Sequence, residues 1–338
     1  MRILLLLALW SPAAGDGDWE YRQGLGFVDT ATMERKTPEE FFQHGQKLRK
    51  DGDLQGAARV FGLIVQHVRE PGLSENARFE EAEALYQAGA FYDACRRFEE
   101  FIARCPQSER ATAAKRRLMD SALELAHRGH ATGFLGIGLF SSSKTGIEKL
   151  HEALRRYPRE DFSAEFYQLL GLFFYGRGEL DAAEVEFATV LEQYPDSPLV
   201  VPALYYLGCS RRDRFDDVPY DIKPLKDARR HFERFLEEAD RMRRISPRAE
   251  EWVNRYLPEV RAHVARIKET LAEKELRTAE YYRWKGLPRS AAVSYRAILR
   301  SFPATQAAAR SRQRLLEMGE AAPPGPPPEA PLPDEKKK

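Results

Sequence analysis

A chain of 338 residues exceeds one typical domain, so it specifies either two domains or one elongated repeat array. Its 43% hydrophobic residues suffice for a core, and a 31% charged fraction favours helices with solvated faces. With 53 Lys plus Arg against 52 Asp plus Glu, the net charge of +1 lacks the basic surplus that nucleic-acid binding requires, so no nucleic-acid partner is expected.

At the N-terminus, Arg2 precedes the apolar run Ile3 to Trp10, followed by Pro12, Ala13, Ala14 and Gly15. This order matches a secretory signal peptide, here residues 1–15 with cleavage after Gly15. Eight apolar residues span about 12 Å as a helix, far short of a bilayer core of roughly 30 Å. No later run approaches the length of a membrane span, so the exported chain is expected in the periplasm without a transmembrane segment; peripheral membrane contact stays open. Residues 16–37 hold Trp19, Gly24 and Gly26 and no heptads, and read as an extended N-terminal arm.

Beyond Pro38 a pattern recurs: a small residue, then steps of 12 to Ala, 4 to an aromatic, 3 to an apolar residue and 5 to Pro. Ala82, Ala94, Phe98, Phe101 and Pro106 fill it, as do Gly171, Ala183, Phe187, Val190 and Pro195, and Ala279, Ala291, Tyr295, Ile298 and Pro303. Gly45, Ala57, Phe61 and Ile64 fit four slots, with Pro71 two residues late. Gly146, Leu150, Ala153 and Pro158 keep part of another copy, and Gly208, Ala228, Phe232 and Phe235 keep both halves of one with eight extra residues. Small residues suit the close crossing of two antiparallel helices, the aromatic fills space between hairpins, and Pro stops the second helix. Gly-containing turns at Gly52, Gly89, Gly178 and Gly286 separate the helices.

This pattern predicts an all-α tetratricopeptide-repeat solenoid of about six helical hairpins. Its parts are N-terminal repeats over 38–158 with an insert at 129–145, C-terminal repeats over 159–319, and a Pro-rich tail over 320–338 expected to be disordered. Such an array lines a concave face with first helices, suited to an extended peptide or partner helix. Phe79, Tyr86, Leu172, Tyr175 and Trp284 are the candidate protein-binding groove; the same residues also suit packing between repeats.

Features with chemical overtones do not assemble. Residues 138–145 approach a phosphate loop ending in Lys144 and Thr145, but Ser143 stands where Gly is needed and no strand precedes. His127 and His130 lie close without completing ligands. Cys95 and Cys105, ten residues apart on one predicted helix, are about 15 Å apart, too far for a bridge. Cys209 completes the set, and free thiols are expected. No catalytic residue, metal or cofactor is expected, and the chain is read as no enzyme.

The C-terminal half resembles BamD-type proteins. The similarity runs through Leu271, Ala272, Glu273, Lys274 and Glu275, then Ala279, Glu280, Tyr281, Tyr282 and Gly286, and on through Ala291, Arg296, Ile298, Phe302, Pro303, Thr305 and Gln306. The acids Asp213, Asp216, Asp217 and Asp221, leading into Asp227, Ala228 and Arg229, are also similar to that family. The resemblance implies an outer-membrane-associated scaffold that holds the barrel component of the β-barrel assembly machinery and samples unfolded outer-membrane proteins. It departs from the family in having no cysteine before Cys95 to carry a lipid. Residues 167–209 also look like the periplasmic cell-division coordinator of the Tol–Pal system, an alternative whose usual preceding coiled coil has no counterpart in 16–37.

Overall fold

The computed structural model describes residues 18–128, 139–215 and 222–321, with the side chains of 139–142 left aside. The expected signal peptide, most of the insert, Asp216, Asp217 and Asp221, and the tail from residue 322 lie outside the described residues. The chain divides into two compact units, residues 1–166 and 167–338.

Unit 1 opens with β1 (Trp19–Arg22), β2 (Gly26–Asp29) and β3 (Arg35–Lys36), an antiparallel sheet in the order β1-β2-β3. Trp19 faces Asp29, Tyr21 faces Phe27, and Phe27 faces Lys36. This corrects the expected extended arm: over residues 18–37 the segment is a folded meander. Burial drives it, because Phe27 and Val28 are fully enclosed and the Phe27 ring stacks on Phe41 with centroids 4.1 Å apart. Gly26 is required at φ +82°, where a Cβ would stand 2.4 Å from the Lys36 carbonyl oxygen. Asp29 holds the second turn by accepting hydrogen bonds from the Ala31 and Thr32 N–H groups at 2.8 and 3.0 Å.

The helices of this unit are α1 (Pro38–Asp51), α2 (Leu54–His67), α3 (Pro71–Gln87), α4 (Phe91–Arg104), α5 (Ala111–Arg128) and α6 (Leu139–Arg156). α1 starts where Thr37 caps it reciprocally. The Thr37 hydroxyl accepts from the Glu40 N–H at 3.2 Å, and the Glu40 carboxylate accepts from the Thr37 N–H at 2.8 Å. Each helix packs on its sequence neighbours, and the first helices of adjacent pairs also touch, α1 with α3 and α3 with α5. That nearest-neighbour pattern is how repeat arrays bury a core.

Next come α7 (Ser163–Gly176), which begins at the unit boundary, and α8 (Leu180–Gln193), α9 (Val200–Asp213), α10 (Lys223–Arg243), α11 (Pro247–Trp284), α12 (Pro288–Ser301) and α13 (Gln306–Glu317). The fold class is the expected one: the described residues form six antiparallel helix pairs of tetratricopeptide type, followed by α13. Not anticipated is α11, a single helix of 38 residues that runs through Pro258 and touches α9, α10, α12 and α13.

The repeat slots acquire a physical meaning that extends the expectation. The aromatic sits against the small residue of its own helix pair, normally sixteen positions earlier, and Phe187 and Phe232 also reach the next pair, stacking on Tyr206 at 5.6 Å and on His263 at 5.1 Å. A Cβ on Gly45 would meet the Phe61 ring at 2.9 Å, one on Gly171 the Phe187 ring at 2.5 Å, and one on Gly208 the Phe232 ring at 2.6 Å. The eight extra residues between Gly208 and Phe232 leave that contact intact, because they lie in the α9–α10 connection. Gly146 serves otherwise: it lies on the second helix of its pair, where a Cβ would meet the Ala126 backbone nitrogen at 2.4 Å. Helices end two residues before Pro106, Pro158, Pro195 and Pro303, as the missing N–H demands.

Candidate protein-docking surfaces

In unit 1 the first helix of the second pair, α3, carries carboxylates where an amphipathic helix would carry aliphatic side chains. Glu80, Glu81 and Glu83 are all buried. Each meets arginine from outside α3: Glu80 pairs with Arg49 of α1 and with Arg110 of the turn before α5 at 3.3 Å, Glu81 with Arg97 of α4 at 2.9 Å, and Glu83 with Arg117 of α5 at 3.1 Å. Burial pushes the Glu81 carboxyl up to about 7, with Arg97 pulling against it. Gly62 on α2 leaves room for that carboxylate, since a Cβ there would lie 3.2 Å from its oxygen. A trough of about 770 Å³ opens over it, bordered by Trp19, Arg59, Leu63, Leu85 and Arg97.

The two groove candidates on α3 are engaged in packing. Phe79 makes edge contacts with Phe98 and Phe101 at 6.0 and 5.5 Å, and Arg110 lies 5.0 Å over its face. Tyr86 lies against Phe91 at 5.6 Å with Arg117 over its ring at 4.8 Å. Both are half-buried, so each presents one flank to solvent while the other joins α3 to α4 and α5.

In unit 2, Leu172 and Tyr175 lie on α7, both half-buried. Tyr175 packs edge-on to Tyr206 at 5.6 Å and donates its hydroxyl hydrogen to Asp213. Arg212 donates from Nε to the same carboxylate at 2.6 Å, and these bonds hold the Asp213 carboxyl below its ordinary range even though burial opposes them. Next to it, burial and the Arg212 charge lower the His263 imidazole. Tyr205 stacks on Tyr256 at 4.3 Å and donates to Glu259. Burial and these acceptors raise the Tyr175 and Tyr205 phenols, which stay protonated as donors. This tyrosine-rich cluster ties α7, α9 and α11 together. Sequence reasoning singled out only Tyr175 of it. The adjacent pair Tyr205 and Tyr206 was visible, but Tyr256 and His263 enter because α11 passes beside α9, and no repeat slot signals that.

Trp284 is placed differently from the other candidates. It ends α11, is 76% exposed, and stands one turn from Tyr281, itself 53% exposed; the ring centroids are 6.0 Å apart. Lys285 holds its ammonium 4.8 Å from the Trp284 ring. Residues 283–290, the whole turn from α11 into α12, are exposed.

Lys144 lies within α6, its ammonium 3.8 Å from Glu148, so the phosphate-loop likeness falls on helix at residues 143–145. The three cysteines are free, with Cys95 and Cys209 buried and Cys105 half-buried. Among the described residues no group of His, Cys, Asp and Glu could hold a metal, and no helix is long and apolar enough to cross a membrane.

A family model described as an outer membrane lipoprotein, YfiO, matches residues 140–322. No curated protein matches the chain. Among solved structures, MamA from Desulfovibrio magneticus is 16% identical, covering 59% of this chain and 93% of its own, with a TM-score of 0.34. A tetratricopeptide repeat protein from Parabacteroides merdae is 13% identical over 77% of this chain and 91% of its own, TM-score 0.35. The C-terminal part of a repeat protein from Cytophaga hutchinsonii is 14% identical over 80% and 98%, TM-score 0.35.

Proposed function

This chain belongs to the YfiO family of outer membrane lipoproteins, the BamD-like family, and from that membership we propose that it is a periplasmic protein-binding scaffold in outer-membrane β-barrel assembly. In this reading it works without catalysis: its helix pairs hold the barrel-assembly component and receive unfolded outer-membrane proteins. Export follows from the signal peptide read at residues 1–15. The flanks of Phe79, Tyr86, Leu172 and Tyr175 left open by packing serve as secondary contacts along the first helices.

The observation that carries the reading is the aromatic end of α11. Within the family-matched segment, the slot aromatics Phe187, Phe232 and Tyr295 are fully buried, while Trp284, which fills no slot, is 76% exposed beside Tyr281. An exposed Trp with an adjacent cation is the composition of an interface anchor, and truncating such an anchor costs about 2 kcal/mol or more of binding, roughly thirtyfold in affinity.

The test is recovery of the chain from crosslinked cells, in parent and Trp284→Ala forms. Barrel-assembly components are expected with the parent and strongly reduced with the variant, whose folding is unaffected because the side chain packs on little. Recovery of no envelope protein by the parent, or equal recovery by both forms, would overturn the proposal.

A further inference from the structure

The free edge of the N-terminal sheet lies beside the trough over Glu81. We propose that β1 is a strand-addition site. An extended segment of an unassembled β-barrel chain, apolar on one face and polar on the other, pairs with that edge and seats its apolar side chains in the trough. The inference rests on the proposed scaffold role and adds where, and in what conformation, the unfolded partner is received. The site belongs to unit 1, outside the family-matched residues 140–322.

The hydrogen-bond ladder fixes which backbone groups are free. The sheet order β1-β2-β3 leaves β1 at an edge among the described residues. The Thr30 N–H donates to the Asp18 carbonyl at 2.9 Å, and the Asp29 N–H turns the other way, to the Glu34 carbonyl, at 3.0 Å. In an antiparallel ladder this direction alternates from one residue to the next. With Glu20 opposite Val28 and Arg22 opposite Gly26, those two residues of β1 turn their N–H and C=O groups to β2. Trp19 and Tyr21 therefore turn theirs outward, and among the described residues no turn, loop or cap bonds to them. The strand has no proline, its register is unbroken, and its exposed charges Glu20 and Arg22 pair with each other. Such an edge is a template for an extended peptide.

A four-residue strand offers few hydrogen bonds, so side chains must supply the remaining affinity. The trough is placed to receive them. β2 and β3 touch α1, whereas β1 touches α2, so the sheet steps across from the first helix to the second. One step further lies the space between α2 and α4. The trough opens there, lined by Asp18 and Trp19 on the strand side, Leu63 and Gln66 of α2, Leu85 of α3 and Arg97 of α4.

The dimensions agree. An added strand lies about 4.7–4.9 Å from β1, and at ~3.4 Å per residue its alternate side chains recur about every 7 Å on one face. The helix-facing side of the sheet is set by Trp19, 5.1 Å from Phe41, and by Tyr21, stacked on His67 at 5.0 Å. Side chains on that face enter the trough, where Leu63 and Leu85 are half-buried and still present apolar surface. Its volume of about 770 Å³ lies within the range of about 300–1,000 Å³ typical of ligand pockets. The opposite face of the added strand lies level with Glu20 and Arg22, in solvent, and suits polar residues. A helical partner would not serve, because its N–H and C=O groups are already bonded to each other.

The experiment follows amide hydrogen exchange, resolved by residue, in the purified chain with and without a peptide of about ten residues that alternates valine and threonine between lysine ends. The peptide is expected to slow the Trp19 and Tyr21 amides roughly tenfold or more, and to leave Glu20 and Arg22, already in the ladder, nearly unchanged. The same peptide N-methylated along its backbone cannot donate and is expected to protect neither. Leu63→Glu puts a charge in the trough, and Gln66→Trp fills it from an exposed position that folding does not depend on. Each is expected to weaken peptide binding roughly tenfold. Unchanged Trp19 and Tyr21 exchange at about 1 mM peptide, equal protection by the N-methylated peptide, or equal affinity for the parent and both variants overturns the inference. The scaffold reading fails separately, through crosslinked recovery of no envelope protein, which leaves the exchange results untouched.

Discussion

The crossing of α7 with α8 allows the sharpest test of why the repeat pattern folds as it does. Gly171 faces Phe187, and a Cβ there would stand 2.5, 2.7 and 2.9 Å from three ring carbons. Ordinary carbon contacts are about 3.5–4.0 Å, so in Gly171→Ala the ring must retreat by about 1 Å. Phe187 is fully buried and has nowhere free to go. Overpacking of this kind costs about 1–3 kcal/mol, while Ala in a helix interior regains about 1 kcal/mol over Gly. The expected net is a loss of about 1 kcal/mol in urea unfolding of the purified chain. Gly176, five residues on, has nothing within 4 Å, so Gly176→Ala should lose nothing and gain up to about 0.5–1 kcal/mol. The double variant Gly171→Ala with Phe187→Leu removes the colliding ring edge, and its stability should exceed the sum of the single effects by about 1 kcal/mol. If Gly171→Ala is as stable as the parent, or the double variant is additive, the slots do not mark close helix crossings and the reasoning fails.

Two further outcomes follow from buried ionisable groups. The Glu81 carboxyl, raised to about 7 from an ordinary 4.5, favours folding when protonated; this contribution is full below about pH 4.5 and lost as pH rises through about 7. Unfolding midpoints of Glu81→Gln across pH 4–8 should therefore vary less than the parent's, with the variant ahead by about 1–3 kcal/mol at pH 8; a variant tracking the parent at every pH would refute the assignment. Burial also pushes the Cys95 and Cys209 thiols up, to about 12 and about 11, whereas Cys105 is half-buried. Under native conditions at pH 8 an aromatic disulfide reagent should titrate at most one thiol rapidly, at Cys105, with the other two appearing only on unfolding. Three fast thiols would show that the α4 and α9 cores are open.

The repeat was legible because its slots are set by contact geometry. A small residue and an aromatic sixteen apart must touch across any tight helix pair, so Gly45 with Phe61 and Gly171 with Phe187 can be read off the chain without coordinates. Three things escaped. The meander at 18–37 is too short for a strong period-2 signal, and its Gly24 and Gly26 read as breakers although they form the turns. The length of α11 escaped because residues 247–278 fill no repeat slot and Pro258 suggests a boundary. Of the groove candidates, Phe79, Tyr86 and Trp284 all lie on first helices. Arg110, just ahead of α5, and Arg117 on α5 lie over the first two, whereas the cation over the third is Lys285 of its own turn, so what separates packing from surface is what the neighbouring helix happens to carry.

Repetition raises a difficulty that the buried charges of unit 1 resolve. Slots filled by the same residue types in every pair cannot tell one neighbour from another: Ala57 and Phe61 would accept the helix that suits Ala94 and Phe98. Burying Glu80, Glu81 and Glu83 contributes little to stability, since desolvation offsets most of the attraction in such pairs. The pairs are nevertheless position-specific. Glu80 requires Arg49 on α1 and Arg110 ahead of α5 together, Glu81 requires Arg97 on α4, and Glu83 requires Arg117 on α5. A mispaired α3 would leave three carboxylates buried without partners, each at a cost of several kcal/mol. In unit 2, Arg211 and Arg214 meet Glu184 at 2.7 and 3.2 Å, joining α8 to the end of α9 in the same manner. Apolar slots thus hold each pair closed, and the unequal charges decide which pair stands next to which.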